Sequence, residues 1–335
     1  MNERPAAVRC GAAAESSSVG APIGIELRAA EEKLLRLLDS NEALIGEICH
    51  YLIDGGGKRL RPVFILLAYR ACGGSDAKID DAIDAAIALE LIHSATLLHD
   101  DIIDGGMLRR GKPSAYARYG PAASLVAGDY LFCRAFELCG RFEERLVHTA
   151  ARACIQLTEG EVMEGRMRYR AAASLDDYIA IITRKTASLF SAGGRVAADL
   201  AGAGAETIGD MEQLGHAVGL AFQMVDDLLD ILGPEEKIGK PVGSDLRLGI
   251  MSLPVVLGLR SNPELQAFFG SGNCLEGQLL DRALKLLREP QLIARGRAMA
   301  AQHVTAARGL LMRLPPSIYR DSLAMLIDEQ INRDL

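Results

Sequence analysis

The stretch "LLHDDIID", residues 97 to 104, places Asp100, Asp101 and Asp104 in a run of leucine and isoleucine, and "MVDDLLD", residues 224 to 230, repeats the arrangement with Asp226, Asp227 and Asp230. On a helix, positions four apart lie on one face, so each DDxxD triplet gathers its carboxylates where the apolar pattern asks for burial. Buried carboxylates without compensation cost several kcal/mol and take up protons sooner than stay charged. A chain that does this twice needs helices whose ends meet cations. A lone triplet also suits a solvated helix face, but two in matching apolar contexts, 126 positions apart, argue for a shared purpose.

The rest of the chain agrees with a helical fold. Of 335 residues 49% are hydrophobic and only 5% aromatic, tryptophan is absent, and no stretch alternates β-branched and polar residues for long. Helix is favoured nearly throughout, and the fold is read as all-α, a single large helical bundle. The segment "DAKIDDAIDAAIALELIHSATLLHDDIID" predicts one helix of about 25 residues, entered through Ser75 or Asp76. Glycine, proline and serine bound the helical segments that follow, and about three further helices are expected after the loop "PEEKIGKPVGSDLRLGIMS". No low-complexity linker and no internal repeat of 20 to 50 residues interrupts residues 25–335, so these are read as one domain.

Residues 1–24, rich in Ala, Ser and Gly, read as a flexible tail without the order of a secretory signal. Seven cysteines lack CxxC spacing, which suits reduced thiols and a cytoplasmic protein. No uninterrupted apolar run reaches the roughly 18 to 20 residues of a membrane span. A net charge of −7 argues against nucleic acid as a partner.

Triplets of aspartate without histidine or cysteine favour the hard cation Mg²⁺ over zinc, and Mg²⁺ commonly bridges to phosphate oxygens. A phosphorylated ligand is therefore expected, and cations should accompany it. "GGGKRLRP" supplies Lys58, Arg59 and Arg61 after a glycine run; "LRRGKPS" supplies Arg109 and Arg110 just past the first triplet; Lys240 follows the second by ten residues. Arginine can grip phosphate with paired hydrogen bonds, although arginines past a helix end also suit its dipole. His93 falls on the face of Asp100, and Gln223 on that of Asp226. Lys185 and Thr186 fall mid-helix, where a lysine beside an apolar run also reaches outward to solvent.

In order along the chain, "GGKRLRP", "LIHSATLLHDDIID" with "RRG", "GDYL", "KTASLF", "FQMVDDLLD" and "GKPVGSDLRLG" with "SLP" resemble the all-trans isoprenyl diphosphate synthases, or polyprenyl synthetases, from about Glu26 to the C-terminus. The resemblance implies a bundle around a central cavity, usually in a homodimer, that joins an allylic diphosphate to isopentenyl diphosphate. It implies that Asp100, Asp101, Asp104, Asp226, Asp227 and Asp230 bind three Mg²⁺ on the allylic diphosphate. Arg109, Lys185, Thr186, Gln223 and Lys240 then match its allylic side, Lys185 counting among the catalytic residues, and Lys58, Arg61, His93 and Arg110 match its isopentenyl side.

Two departures stand out. Ile250 occupies a position where many relatives carry lysine, and "GGML" before Arg109 suggests a supple loop. Ala95 and Thr96, small residues before the first triplet where short-chain relatives commonly have an aromatic, predict a long product of about six to ten isoprene units, as in quinone side chains. Alternatives are a short-chain farnesyl or geranylgeranyl diphosphate synthase, a class I terpene cyclase, which would need no isopentenyl site, and an inactive partner subunit, which should lose aspartates.

Overall fold

A computed structural model describes residues 19–57, 59–233, 241–270 and 275–331. Lys58, Lys240 and most of the N-terminal segment lie outside the described residues. The helical expectation holds: among the described residues, apart from one two-stranded hairpin, the regular elements are helices.

The chain parts into two compact units, one formed by Met1–His148, Gly193–Ile208 and Leu314–Met325, the other by Thr149–Ala192, Gly209–Arg313 and Leu326–Leu335. The units are interleaved in sequence; four of their five boundaries fall inside helices and the fifth, at Arg313–Leu314, falls in a turn. No change in composition therefore marks them.

The first unit contains α1 (Gly24–Leu37), α2 (Ala43–Asp54), α3 (Leu60–Ala71), α4 (Ile79–Ile103), α5 (Ala115–Tyr119) and α6 (Pro121–Cys139). Val19 and Ile23, ahead of α1, are already buried. Helix α4 has the 25 residues the pattern predicts and is buried along most of its length, as are Phe64 to Tyr69 of α3. With the turn before it, α4 is the one described helix long and apolar enough to cross a membrane, yet 83% of its apolar window is buried within the protein. It is a core helix, apolar on every side because neighbours cover every side.

α6 runs beside α4, and Gly128 permits the approach. A β-carbon there would stand 2.2 Å from Nε2 of His99. His99, next to Asp100, stacks on Phe132 with ring centroids 5.9 Å apart.

Helix α7 (Glu144–Met167) begins in the first unit and continues in the second. There follow α8 (Leu175–Ile182), a wide π-type turn (Thr183–Ala187), α9 (Ser188–Leu200), α10 (Ala205–Leu232) and the short α11 (Ser244–Arg247). Ser174 and Asp177 begin α8 with a reciprocal capping box. After α11 come α12 (Leu253–Leu259), α13 (Pro263–Gly270), α14 (Gly277–Leu287), α15 (Pro290–Leu311) and α16 (Ile318–Ile331), five helices where about three were expected. Prolines at the starts of α13 and α15 cut the apolar pattern into shorter pieces than its periodicity suggests. The core of this unit gathers Met224, Leu228, Val255, Val256, Phe269 and Leu287.

Candidate active site

The first triplet occupies the last turn of α4. Asp104 caps the helix, its N–H donating to the Asp100 carbonyl at 2.8 Å, and the Gly106 N–H donates to the Asp101 carbonyl at 2.8 Å. The three side chains part company there. Asp100 and Asp104 are half-buried, whereas Asp101 is 4% exposed and accepts from Arg109 Nε at 3.0 and 3.1 Å and from Nη2 at 2.8 Å. A buried carboxylate opposite a guanidinium exchanges lost hydration for a charge-assisted fork.

The loop that brings Arg109 back has more structure than its sequence suggests. Leu108–Arg109 pairs antiparallel with Lys112–Pro113. Arg110 and Gly111 have φ of 52° and 74°, the two positive values that a tight hairpin turn demands. Ser114 pins the base of the hairpin: its N–H donates to the Met107 carbonyl at 2.9 Å, its hydroxyl donates to the Gly106 carbonyl, and the same oxygen caps α5 at Ala117. The supple loop expected from "GGML" is in this way a fixed return.

Arg61, Arg109, Arg110 and Arg59 surround His93 closely enough to act on it. Burial first, then their positive field, holds its proton affinity well below the ordinary histidine value, so the imidazole is neutral at pH 7. Arg61 is buried at the start of α3 and Arg110 is exposed on the hairpin. Ala95 is fully buried, and Thr96 donates to the His93 carbonyl at 2.8 Å.

The second triplet lies near the end of α10. Asp226 is half-buried, Asp227 is 4% exposed and Asp230 1%. Asp227 Oδ2 accepts from the Tyr178 hydroxyl at 2.8 Å and from the Leu253 N–H at 2.9 Å, and its Oδ1 accepts from Gln223 Nε2 at 2.8 Å. Burial pushes its carboxyl up to about 7, with Asp245 adding repulsion and the three donors opposing it. Gly243 and Asp245 turn their N–H groups to Asp230, the first onto its carbonyl at 2.9 Å and the second onto Oδ2 at 3.3 Å.

The residues of "KTASLF" join this cluster through hydrogen bonds. Thr186 donates to Gln223 Oε1 at 2.7 Å, so a relay runs from Thr186 through Gln223 to Asp227. Lys185 turns the other way, to Glu164 at 2.5 Å and Glu161 at 2.6 Å on α7. It is held by carboxylates, not simply extended into water. The wide turn that aims both residues is clasped between helices: a β-carbon at Gly160 of α7 would stand 2.7 Å from the Lys185 nitrogen, and one at Gly219 of α10 would stand 2.6 Å from Ala187 Cα.

The structure thus groups Asp100, Asp101, Asp104, Arg109, Arg110, Arg61 and His93 in one unit, and Asp226, Asp227, Asp230, Gln223, Thr186 and Lys185 in the other. Tyr178, Asp245, Glu161, Glu164 and the Leu253 amide escape sequence reasoning. They belong to no repeated spacing and reach the clusters only through the fold. The donors of both triplets are all oxygens, as a hard cation prefers. Among the described residues no three acidic, histidine or cysteine side chains converge on one metal position; Asp101 and Asp227 turn to protein partners.

Comparison with known proteins agrees. A family model described as polyprenyl synthetase matches residues 42–284. The chain is 36% identical over 291 residues to heptaprenyl diphosphate synthase component 2 of Geobacillus stearothermophilus, covering 87% of this chain and 90% of that one. It is 35% identical to the nonaprenyl diphosphate synthase of Mycobacterium tuberculosis, covering 92% and 93% of the two chains. A short-chain isoprenyl diphosphate synthase of Methanothermobacter thermautotrophicus is 34% identical, with 85% and 89% covered. Among solved structures, a polyprenyl synthase from Caulobacter crescentus complexed with calcium and isoprenyl diphosphate superposes with a TM-score of 0.90 at 33% identity, covering 95% of this chain and 97% of that one.

Proposed function

The chain belongs to the polyprenyl synthetase family, and we propose that it condenses isopentenyl diphosphate with an allylic diphosphate such as farnesyl diphosphate, giving a long-chain all-trans polyprenyl diphosphate for quinone side chains. The observation that carries this reading is the repeated DDxxD geometry at the ends of α4 and α10, with half-buried Asp100, Asp104 and Asp226 beside deeper aspartates.

A set of oxygen donors that forms no closed protein cage suits Mg²⁺, which keeps waters and takes phosphate oxygens. Asp100, Asp101, Asp104, Asp226, Asp227 and Asp230 would hold it, Asp101 and Asp227 being also engaged by Arg109 and Gln223. Bound Mg²⁺, three ions by family resemblance, would supply charge stabilisation to the departing diphosphate. Arg109, Lys185 and Lys240 grip that diphosphate as the allylic C–O bond breaks, and Thr186 and Gln223 orient it. For Lys185 this means exchanging Glu161 and Glu164 for phosphate oxygens. Lys58, Arg61, Arg110 and neutral His93, a hydrogen-bond donor without charge, hold isopentenyl diphosphate so that its double bond meets the allylic cation. One C–C bond forms, a proton leaves the adduct, and diphosphate is released.

Ala95 and Thr96 set no bulky stop beside the growing tail, which supports a long product. The protein acts as a homodimer in the cytoplasm, where the thiols of Cys49, Cys72, Cys133, Cys139 and Cys154 stay reduced. Exposed Leu125, Val126 and Phe136 on α6 support self-association, and the heptaprenyl relative's designation as a component makes a second, different subunit the alternative.

Incubation with Mg²⁺, labelled isopentenyl diphosphate and farnesyl diphosphate, followed by sizing of the extracted prenols, tests the reading. Chains of 30 carbons or more support it, and a stop at 15 or 20 favours the short-chain alternative that the archaeal relative represents. Failure of every primer to incorporate label would overturn it. Ala95→Phe, with its fold checked by circular dichroism, should shorten the product; an unchanged product removes Ala95 as a determinant of length.

A further inference from the structure

Among the described residues only Arg59, Arg110 and Tyr169 are non-glycine positions with positive φ. Arg59 adopts the left-handed conformation, φ 47° and ψ 38°, at the residue before α3. Such a backbone costs about 1 kcal/mol or more and persists where surrounding contacts fix it. The contacts are plain. Arg59 is 5% exposed; its Nε donates to Glu31 Oε2 at 3.2 Å, and Nη2 donates to Glu31 Oε1 and to the Ile53 carbonyl, both at 3.3 Å. Its Nη1 lies 3.5 Å from Glu90 Oε1. One side chain therefore ties the glycine loop to α1, to the end of α2 and to α4, one turn before His93.

The opposite side of that loop carries the exposed arginine of the hairpin. A β-carbon at Gly57 would stand 3.1 Å from both terminal nitrogens of Arg110 and 3.2 Å from Nη1 of Arg59. Two guanidinium groups thus pack on one bare stretch of backbone. They would repel each other, but Glu31 and Glu90 surround Arg59 and absorb its charge.

We infer that Arg59 is a positioning residue for isopentenyl diphosphate: its buried pairing with Glu31 and Glu90 forms the floor on which Gly57 rests and sets where Arg110 and Arg61 stand. The inference rests on the proposed isopentenyl role of Arg61, His93 and Arg110. Arg59 itself touches no substrate, since its donors are turned to Glu31, Glu90 and the Ile53 carbonyl.

The test is steady-state kinetics of the full-length enzyme with Mg²⁺, varying each substrate in turn. Arg59→Met should raise KM for isopentenyl diphosphate about tenfold or more, while KM for the allylic diphosphate stays within about twofold. Glu90→Gln, which keeps the Glu31 pair and the fold, should shift the same constant by less. Arg59→Lys should recover part of the loss, because an ammonium restores charge without the fork.

Arg110→Ala separates the two levels. A raised KM for isopentenyl diphosphate in Arg110→Ala together with unchanged or equal shifts of both constants in Arg59→Met and Glu90→Gln would overturn the positioning role alone. An unaffected KM in Arg110→Ala would overturn the site reading beneath it.

Discussion

The two aspartate triplets share a spacing and a helical setting, but the fold treats their central carboxylates in opposite ways. Asp101 meets a full positive charge, Arg109, returned by a hairpin eight residues on. Asp227 meets neutral donors, a phenol, an amide side chain and a backbone N–H, and its carboxyl is pushed up to about 7. Ion pairing compensates a buried charge; hydrogen bonding to neutral groups compensates only part of it, and the proton affinity rises to cover the remainder. The central carboxylate of the first triplet is balanced by the chain itself. At the second, the central carboxylate is met by neutral donors.

The largest consequence is catalytic and should be common to both. Asp101→Ala and Asp227→Ala are each expected to lower kcat by about a hundredfold to a thousandfold with the helical signal in circular dichroism unchanged. Normal turnover in either variant would break the parallel between the triplets.

Stability should separate them. Arg109→Ala leaves Asp101 buried opposite no charge and is expected to cost about 3 kcal/mol in denaturant unfolding of the metal-free protein. Asp227→Asn should be neutral or stabilising there. Its amide oxygen can accept from Tyr178 and Leu253, and a flipped Gln223 can accept from its NH₂ while donating to Thr186. Equal losses in both variants would erase the contrast.

The pH dependence of the metal-free protein gives the same contrast a sign. The folded Asp227 carboxyl at about 7, against an ordinary 3.8, means that the folded chain binds this proton more tightly than the unfolded one. Its contribution is fully present below about pH 4 and is lost as pH rises towards 7, a difference of a few kcal/mol at most. Thermal melts of wild type should fall over that interval relative to Asp227→Asn, and parallel curves would show that burial does not govern this group.

The smallest effect concerns a single donor. Tyr178→Phe removes one of three hydrogen bonds to Asp227 and should cost about 1 to 2 kcal/mol, with kcat lowered severalfold. A loss as large as that of Asp227→Ala would mean that the phenol alone holds the second triplet.

Much of this was legible in advance. The period of the apolar residues gave the all-α class and the length of α4, and the repeated aspartates with their attendant arginines marked both clusters. What escaped was long-range: Tyr178 from α8 and the Leu253 amide from α12 stand 49 and 26 residues from Asp227. The wide turn at Thr183–Ala187 was also hidden, since Gly160 and Gly219, which admit it, look like unremarkable helix glycines until their neighbours are known.

The sequence by itself determined the helices, the two triplets and the oxygen-donor chemistry they offer, because local periodicity and residue type depend on near neighbours along the chain. Only the tertiary structure decided which aspartate of each triplet turns inward, which is paired with charge and which with neutral donors, and that Arg59 serves as a floor under the glycine loop. Burial and electrostatic environment are set by groups brought from distant positions, and a one-dimensional pattern carries no record of that meeting.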